Sequence, residues 1–404
     1  MQSAFLLSLY LFELPYLFLM LMVIVGALRR VPVRRSAVTP SVSVVLPAHD
    51  EAASLPACLA SLAAQRYAGA VEFVVVDDRS TDATRAVIER FAATDPRFKL
   101  VTVAEPSRRL SPKVNAVDHG IRASRGEIVL ATDADCLHHP DWVAGMASHF
   151  ADDVVMVAGY VSTSAPGEAR TLLQRFESVD WFTLMLVSRS LTRFGLKYAS
   201  SANNLAYRRS AFDACGGFGA AGRAPSGDED LLTQRLGRLP GATVVFAEGP
   251  ECRVLTKGAG SLAALVRQRR RWVSRYHHVL HYHPAFLAGI GTLGLQSVWL
   301  TLAVLLLPFA PGMAPWVLGL GLVKATVEYV GMGIGTRHWA RRDLWGLTTL
   351  WWSLLHPAFI ATAVVGSFLK PSAWRAGAQP YRRRFFQRRL RLFRRRVKAG
   401  VARY

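Results

Sequence analysis

Glu127-Ile128-Val129-Leu130-Ala131-Thr132-Asp133-Ala134-Asp135 holds a short apolar run that stops at Thr132 and is followed by two carboxylates one residue apart. Such a run fits a strand buried on both faces of a parallel sheet. Residues i and i+2 of a strand point the same way, so Asp133 and Asp135 face one point just past the strand's carboxyl end, where open α/β sheets bind their ligands. Hard cations such as Mg²⁺ or Mn²⁺ take oxygen ligands there, commonly one or two carboxylates together with nucleotide phosphates. Alone, the pair also reads as a solvated loop or a helix cap.

The residues upstream set this run in a repeating pattern. Val42 to Leu46 reads as a first buried strand ending at Pro47-Ala48-His49-Asp50-Glu51, followed by a helix from about Ser54 to Gln65. A second strand, Val71 to Val76, runs into Asp77-Asp78-Arg79-Ser80-Thr81-Asp82, where an Asp or Ser can cap the helix reaching about Phe91. A third strand, Leu100 to Val103, leads to a helix from about Lys113 to Ser124 and then to the Asp133 strand. This alternation predicts an α/β fold with a mostly parallel sheet. The acids ending the second and fourth strands, Asp77, Asp78, Asp133 and Asp135, could then gather around one nucleotide diphosphate. Four carboxylates in one crevice raise one another's pKa, which is a reason to infer a cation among them. None of these strands is followed by G-x-G-x-x-G, and no P-loop is present in the sequence.

The 404 residues are 51% hydrophobic and carry a net charge of +21, a pairing that rarely describes one soluble domain. Ala4 to Leu28 is long and apolar enough to cross a bilayer. No basic residue precedes it, which argues against a cleaved signal peptide. Arg29, Arg30, Arg34 and Arg35 follow at once and place the next segment in the cytoplasm. Pro284 to Leu306, Trp316 to Gly335 and Leu344 to Phe368 are further candidate spans, with a basic, cytoplasmic loop from Arg337 to Arg342. Three spans would put the tail outside against the same rule, unless the third is re-entrant, broken at His356-Pro357. The charges inside the spans, Glu13, Lys324 and Glu328, are not expected to form a relay. From Lys370 to Arg403 the tail has 13 Lys or Arg and no acid. It could bind nucleic acid or anionic lipid, and its place after apolar spans favours lipid.

In order along the chain, V-V-L-P-A-H-D-E (Val44 to Glu51), V-V-V-D-D-R-S-T-D (Val74 to Asp82), T-D-A-D (Thr132 to Asp135), Asn203-Asn204 to Gly217, G-D-E-D (Gly227 to Asp230) and Q-R-R-R-W (Gln268 to Trp272) resemble the inverting family 2 glycosyltransferases of GT-A fold, in their membrane-anchored branch. The resemblance implies a Rossmann-like, nucleotide-diphospho-sugar transferase sheet with transmembrane helices at both ends. It implies a nucleotide-sugar donor, Mg²⁺ or Mn²⁺, and a lipid or glycan acceptor, with membrane lipids and no nucleic acid as partners. Pro47, Glu51, Asp77, Asp78, Lys113 and Asp133 would line the donor pocket, with Asp77 or Asp78 on the nucleoside. Asp133 and Asp135 would hold the metal diphosphate, and Asp230 would be the catalytic base. The family often has Asn where this chain has Asp50.

The acceptor side is expected in residues 154–260. Leu172 to Leu191 carries apolar residues at near-helical spacing, fit for core packing or for contact with lipid. Gly216-Gly217 marks a turn needing positive φ. Asp228-Glu229-Asp230 opens a helix, where acids also suit the helix dipole. An Asp near its ordinary pKa of ~3.9 is a weak base, so burial or a neighbour such as Glu229 would help it take the acceptor's proton. Gln268, Arg271 and Trp272 would contact the acceptor or the diphosphate, while the same basic run also reads as an interfacial helix. His277 and His281 have i, i+4 metal spacing without a supporting motif. The expected organisation is an anchor at 1–28, a cytoplasmic catalytic domain at 40–255, an interfacial segment at 256–283, spans at 284–368 and a basic tail at 369–404. A multi-pass protein of a bacterial inner membrane fits it. Single transfer to a lipid, as in ceramide glucosyltransferases, competes with processive polysaccharide synthesis. A non-catalytic scaffold is disfavoured by the complete acid set.

Overall fold

The computed structural model describes residues 2–32, 35–36, 38–107, 109–198, 201–219, 222, 228–273 and 284–369. The histidine cluster at 277–283 and the tail beyond 369 lie outside them.

After a long first helix, α1 (Gln2–Leu28), the chain builds β1 (Val42–Ala48), α2 (Leu55–Ala63), β2 (Val71–Asp77), α3 (Thr84–Thr94), β3 (Phe98–Thr102), α4 (Pro112–Ala123) and β4 (Ile128–Ala131), the expected βα alternation. These four strands are mutually parallel. Every second residue of β1 and β2 feeds each face. Val42, Val44, Leu46, Phe73 and Val75 pack with α2 and α3, whereas Val45, Val74 and Val76 pack with α4. Burying one such side chain contributes about 1.5–3 kcal/mol, so two covered faces select unbroken apolar strands over alternating ones. Pro47 is tolerated in a central strand because pairing of β1 with β4 stops at Val45–Ala131, so no ladder bond needs its missing N–H. On the α4 face, a Cβ on Gly120 would lie 2.5 Å from Val45 Cγ1, so glycine lets the helix seat close to the strands.

The second half adds β5 (Cys136–His138), α5 (Trp142–Ala147), β6 (Val154–Gly159), β7 (Val161–Ser162), α6 (Leu172–Thr192), β8 (Leu205–Arg208), α7 (Arg209–Ala214), α8 (Asp228–Leu236), β9 (Thr243–Ala247), β10 (Val254–Thr256) and α9 (Leu262–Val273). The main sheet has the order β3-β2-β1-β4-β8-β6-β9, with β8 antiparallel to both neighbours, and β5-β10-β7 form a small second sheet. The predicted turn is present, with φ of 74° at Gly216 and 60° at Gly217.

Among the described residues, four helices are long and apolar enough to cross a membrane: α1, α10 (Pro284–Leu306), α11 (Ala314–Gly335) and α12 (Leu347–Leu369). The break at His356-Pro357 that a re-entrant third segment would bring is not there, and α12 runs through Pro357. A proline frees the carbonyl four residues earlier, here that of Ser353, and Lys324 Nζ on α11 donates to it at 3.1 Å. Lys324 also pairs with Glu328 at 2.7 Å, and Glu328 accepts from Tyr16 of α1 and from Ser353. Glu13 accepts from Gln296 Nε2 at 3.0 Å. Lys324 and Glu328 thus neutralise each other inside the bundle, as a hydrocarbon surrounding requires.

The bundle is fastened to the α/β domain through α6. Arg189 donates to the carbonyls of Gly26 and Ala27 at the carboxyl end of α1, where a cation suits the helix dipole. The loop between α11 and α12 sends buried Arg341 to Ser162 Oγ at 2.6 Å, and Trp339 stacks on Tyr160 at 4.4 Å. This loop therefore lies on the same side of the bundle as the α/β domain.

Candidate active site

Parallel β1, β2 and β4 end at one edge, with β1 in the middle, so the ends of β2 and β4 lie about 10 Å apart. Asp133 and Asp135 follow β4. Lys113, in the first turn of α4, places Nζ 2.7 Å from Asp133 Oδ1 and 2.9 Å from Oδ2. Burial pushes the Asp135 carboxyl up to about 6, with the neighbouring charges of Asp133 and then Glu51 adding to the rise. Thr256 Oγ1 of β10 donates to Asp135 at 3.4 Å. The structure thus gathers Glu51, Lys113, Asp133 and Asp135, as the sequence led us to expect.

This donor set fits a hard divalent cation. It offers carboxylate oxygens at a half-buried site whose like charges a cation would relieve. Among the described residues no three His, Cys, Asp or Glu side chains form a complete metal cage. Two carboxylates completed by phosphate oxygens suit Mg²⁺ or Mn²⁺ better than a site made of protein ligands alone.

The loops after β1 and β2 are tied to each other. Asp50 has φ 53°, a left-handed conformation that Asp and Asn tolerate best after Gly, and its Oδ1 accepts from Thr81 N at 2.7 Å. Asn could make the same bond, which accounts for Asp50 replacing the residue common in the family. Asp77 Oδ1 accepts from Ser80 N at 3.1 Å, Asp78 pairs with Arg79 Nε at 2.9 Å, and both acids are 3% exposed. Pro47 is half-buried at the end of β1. Asp230, the third residue of α8, is 2% exposed.

The Q-R-R-R-W run forms the last turns of α9. Trp272 packs edge-on against Trp181 at 5.2 Å. The buried member of the run is Arg269, a residue the sequence did not single out. It pairs with Asp180 of α6, its guanidinium lies 4.0 Å from the Trp272 ring centre, and its Nη1 donates to Gln268 Oε1 at 2.6 Å. His356 Nε2 of α12 stands 3.4 Å from the other oxygen of Asp180. The available signal was Asp180, a carboxylate set directly among Val179, Trp181 and Phe182.

Burial works to raise the Asp180 carboxyl, but the charge of Arg269 and the contact with His356 outweigh it and hold the pKa at about 2. A depressed pKa gives stability that is present above the ordinary carboxylate range and is lost as pH falls toward 2. Asp180→Asn, which leaves Arg269 buried without a counter-charge, is expected to cost about 3–5 kcal/mol. Thermal unfolding in detergent should show that deficit undiminished at neutral pH and shrinking only under strongly acid conditions. A deficit that vanished already at pH ~6 would rule the pair out as its source.

The model of glycosyl transferase family 2 matches residues 43–216, which contain the β1, β2 and β4 loops. An N-acetylglucosaminyltransferase of Mesorhizobium japonicum is 29% identical over 73% of this chain and 67% of its own length. Another, of Bradyrhizobium elkanii, is 34% identical over 32% of this chain and 71% of its own length. A third, of Sinorhizobium fredii, is 29% identical, and the chain spans only 58% of it. Among solved structures, a mannosyltransferase of Pyrobaculum calidifontis in complex with GDP-Man and Mn²⁺ superposes with a TM-score of 0.59 at 19% identity, over 91% of this chain and 99% of that one. The sheet order, the paired acids beyond β4 and these likenesses agree on a GT-A fold, and the chain belongs to glycosyl transferase family 2.

Proposed function

We propose that this protein is a membrane-anchored, metal-dependent, inverting glycosyltransferase that moves a sugar from a nucleotide sugar, first to be sought as UDP-linked N-acetylglucosamine, to a lipid acceptor at the cytoplasmic face. The observation that carries the reading is the Glu51–Lys113–Asp133–Asp135 cluster at the carboxyl edge of the parallel sheet. The names of the rhizobial relatives suggest the sugar. The four apolar helices fastened to the α/β domain suggest a membrane acceptor. The catalytic domain is assigned to 40–255, the membrane-facing parts to 1–28 and 256–368, and the tail to 369–404.

The acceptor hydroxyl attacks the anomeric carbon, the bond to the diphosphate breaks on the opposite face, and the hydroxyl proton goes to Asp230. Asp133 and Asp135 would hold a divalent cation, which neutralises the leaving diphosphate. Lys113 is placed to move from Asp133 to a phosphate oxygen. Glu51, Pro47 and the Asp77–Asp78 loop shape the nucleoside end of the site. Gln268, Arg271 and Trp272 wall the acceptor side, held in place by the Arg269–Asp180 pair.

Membranes containing the full chain, given a panel of labelled nucleotide sugars and then extracted with organic solvent, should yield one labelled lipid. Label in long, solvent-insoluble glycan would favour a processive polysaccharide synthase. No transfer from any donor would overturn both readings.

A further inference from the structure

Between α1, α6, α8, α10 and α12 lies a cavity of about 760 Å³. Phe18, Leu19 and Met22 of α1, Leu184 and Val187 of α6 and Leu293 of α10 make much of its wall. Its charged and amide groups are Asp180 of α6, Lys197 just beyond α6, Gln234 of α8, Arg238 just beyond α8, and His356 of α12. A cavity of this size with an apolar wall and a few polar groups is built for a ligand. Because α1 and α10 are both candidate membrane spans, their share of the wall stands at hydrocarbon depth.

Two independent features tie the cavity to the acceptor side. Gln234 follows Asp230 by four residues on α8, so the two share one helix face a single turn apart, and both are buried. Asp180, in the opposite wall, is the residue that holds Arg269 of the Q-R-R-R-W run. α10 also keeps the space open. A Cβ built on Gly289, which lines the cavity, meets no atom within 4 Å.

We propose that this cavity takes the hydrocarbon chain of the acceptor lipid, setting its hydroxyl-bearing head toward Gln234 and the Asp230 face of α8. The assignment rests on the lipid-acceptor reading above and adds to it the place where the lipid sits. The occupant is a hydroxyl-bearing lipid, since the transfer needs an acceptor hydroxyl and the cavity's buried acid, Asp180, is already paired with Arg269.

The test uses the full chain in phosphatidylcholine vesicles containing a diacylglycerol whose acyl chain carries a diazirine. Irradiation should label peptides spanning residues 16–22 and 183–191. Gly289→Leu fills open space without a clash, so it should cut that labelling and raise the KM for lipid acceptor by about tenfold or more, while UDP affinity stays unchanged. Label confined to outward-facing positions such as Leu21 and Leu318, with lipid transfer intact in Gly289→Leu, would overturn the site and leave the lipid-acceptor reading standing. Labelled cavity peptides with transfer only to a soluble saccharide would overturn that reading, and the acceptor role of the cavity with it.

Discussion

Asp135→Ala is expected to abolish transfer and, with it, any effect of Mn²⁺ or Mg²⁺ on donor binding. Asp135 is half-buried, beside Asp133 and near Glu51, and those surroundings hold its carboxyl at about 6. An acid kept there against desolvation and like charge contributes little to the fold, whose nearest contacts to it are a 3.4 Å bond from Thr256 and a 3.6 Å contact with Cys136. Removing it should therefore leave folding and membrane insertion intact, which circular dichroism and gel filtration can verify. The loss should fall on the nucleotide. Calorimetric titration of UDP in the presence and absence of Mn²⁺ should show a large metal-dependent gain for the wild-type chain and none for the variant. Asp133→Asn should weaken both binding and turnover, because it removes an anionic oxygen and also the partner of Lys113. Wild-type turnover that persists in EDTA would sink the metal reading altogether.

The half of the fold that frames this site was legible because its strands are buried on both faces. V-V-V-D at Val74–Asp77 needs no partner to be recognised as a strand, and the βα alternation then fixes parallel neighbours. The other half resisted reading for two reasons. The strands of the small sheet, Cys136–His138, Val161–Ser162 and Val254–Thr256, are too short to display a period. The antiparallel insertion of Leu205–Arg208 between β4 and β6 is a long-range choice that no local pattern records. The same division holds at the site. Asp133 and Asp135 announce themselves by i, i+2 spacing after a buried run, whereas Arg269 meets Asp180 across 89 residues of chain and only packing brings them together. At Pro357 the local rule for proline left a break open, and the helix continues there with Lys324, on another helix, taking up the orphaned Ser353 carbonyl. Glu328 and Lys324 are spaced for an i, i+4 pair on sight, but the tie to Tyr16 that makes them part of the bundle's packing is visible only in three dimensions.

Asp230→Asn should lower kcat by ~10²-fold or more while leaving donor affinity nearly unchanged, the scale on which a general base contributes. The substitution preserves the shape of the side chain and removes its capacity to take a proton. Its position allows a competing account, since an acid in the first turn of α8 also stabilises the helix dipole, an effect worth about 0.3–1 kcal/mol at an exposed site. Two observations weigh against that account. Asp230 is 2% exposed, where a carboxylate serving only the dipole would keep its hydration, and its helix face continues to Gln234 and the lipid-sized cavity. The two accounts separate cleanly in measurement. A dipole role predicts a small loss of thermal stability and near-normal turnover. A base role predicts normal stability, normal UDP-sugar binding and a kcat deficit that a higher concentration of donor or acceptor does not repair. The Asp133 and Asp135 variants supply the contrast, because theirs is a loss of donor binding as well as of rate. Near-normal turnover in folded Asp230→Asn protein would show that the proton goes elsewhere, and Glu229 and Asp228, its neighbours in the same turn, would be the next carboxylates to replace.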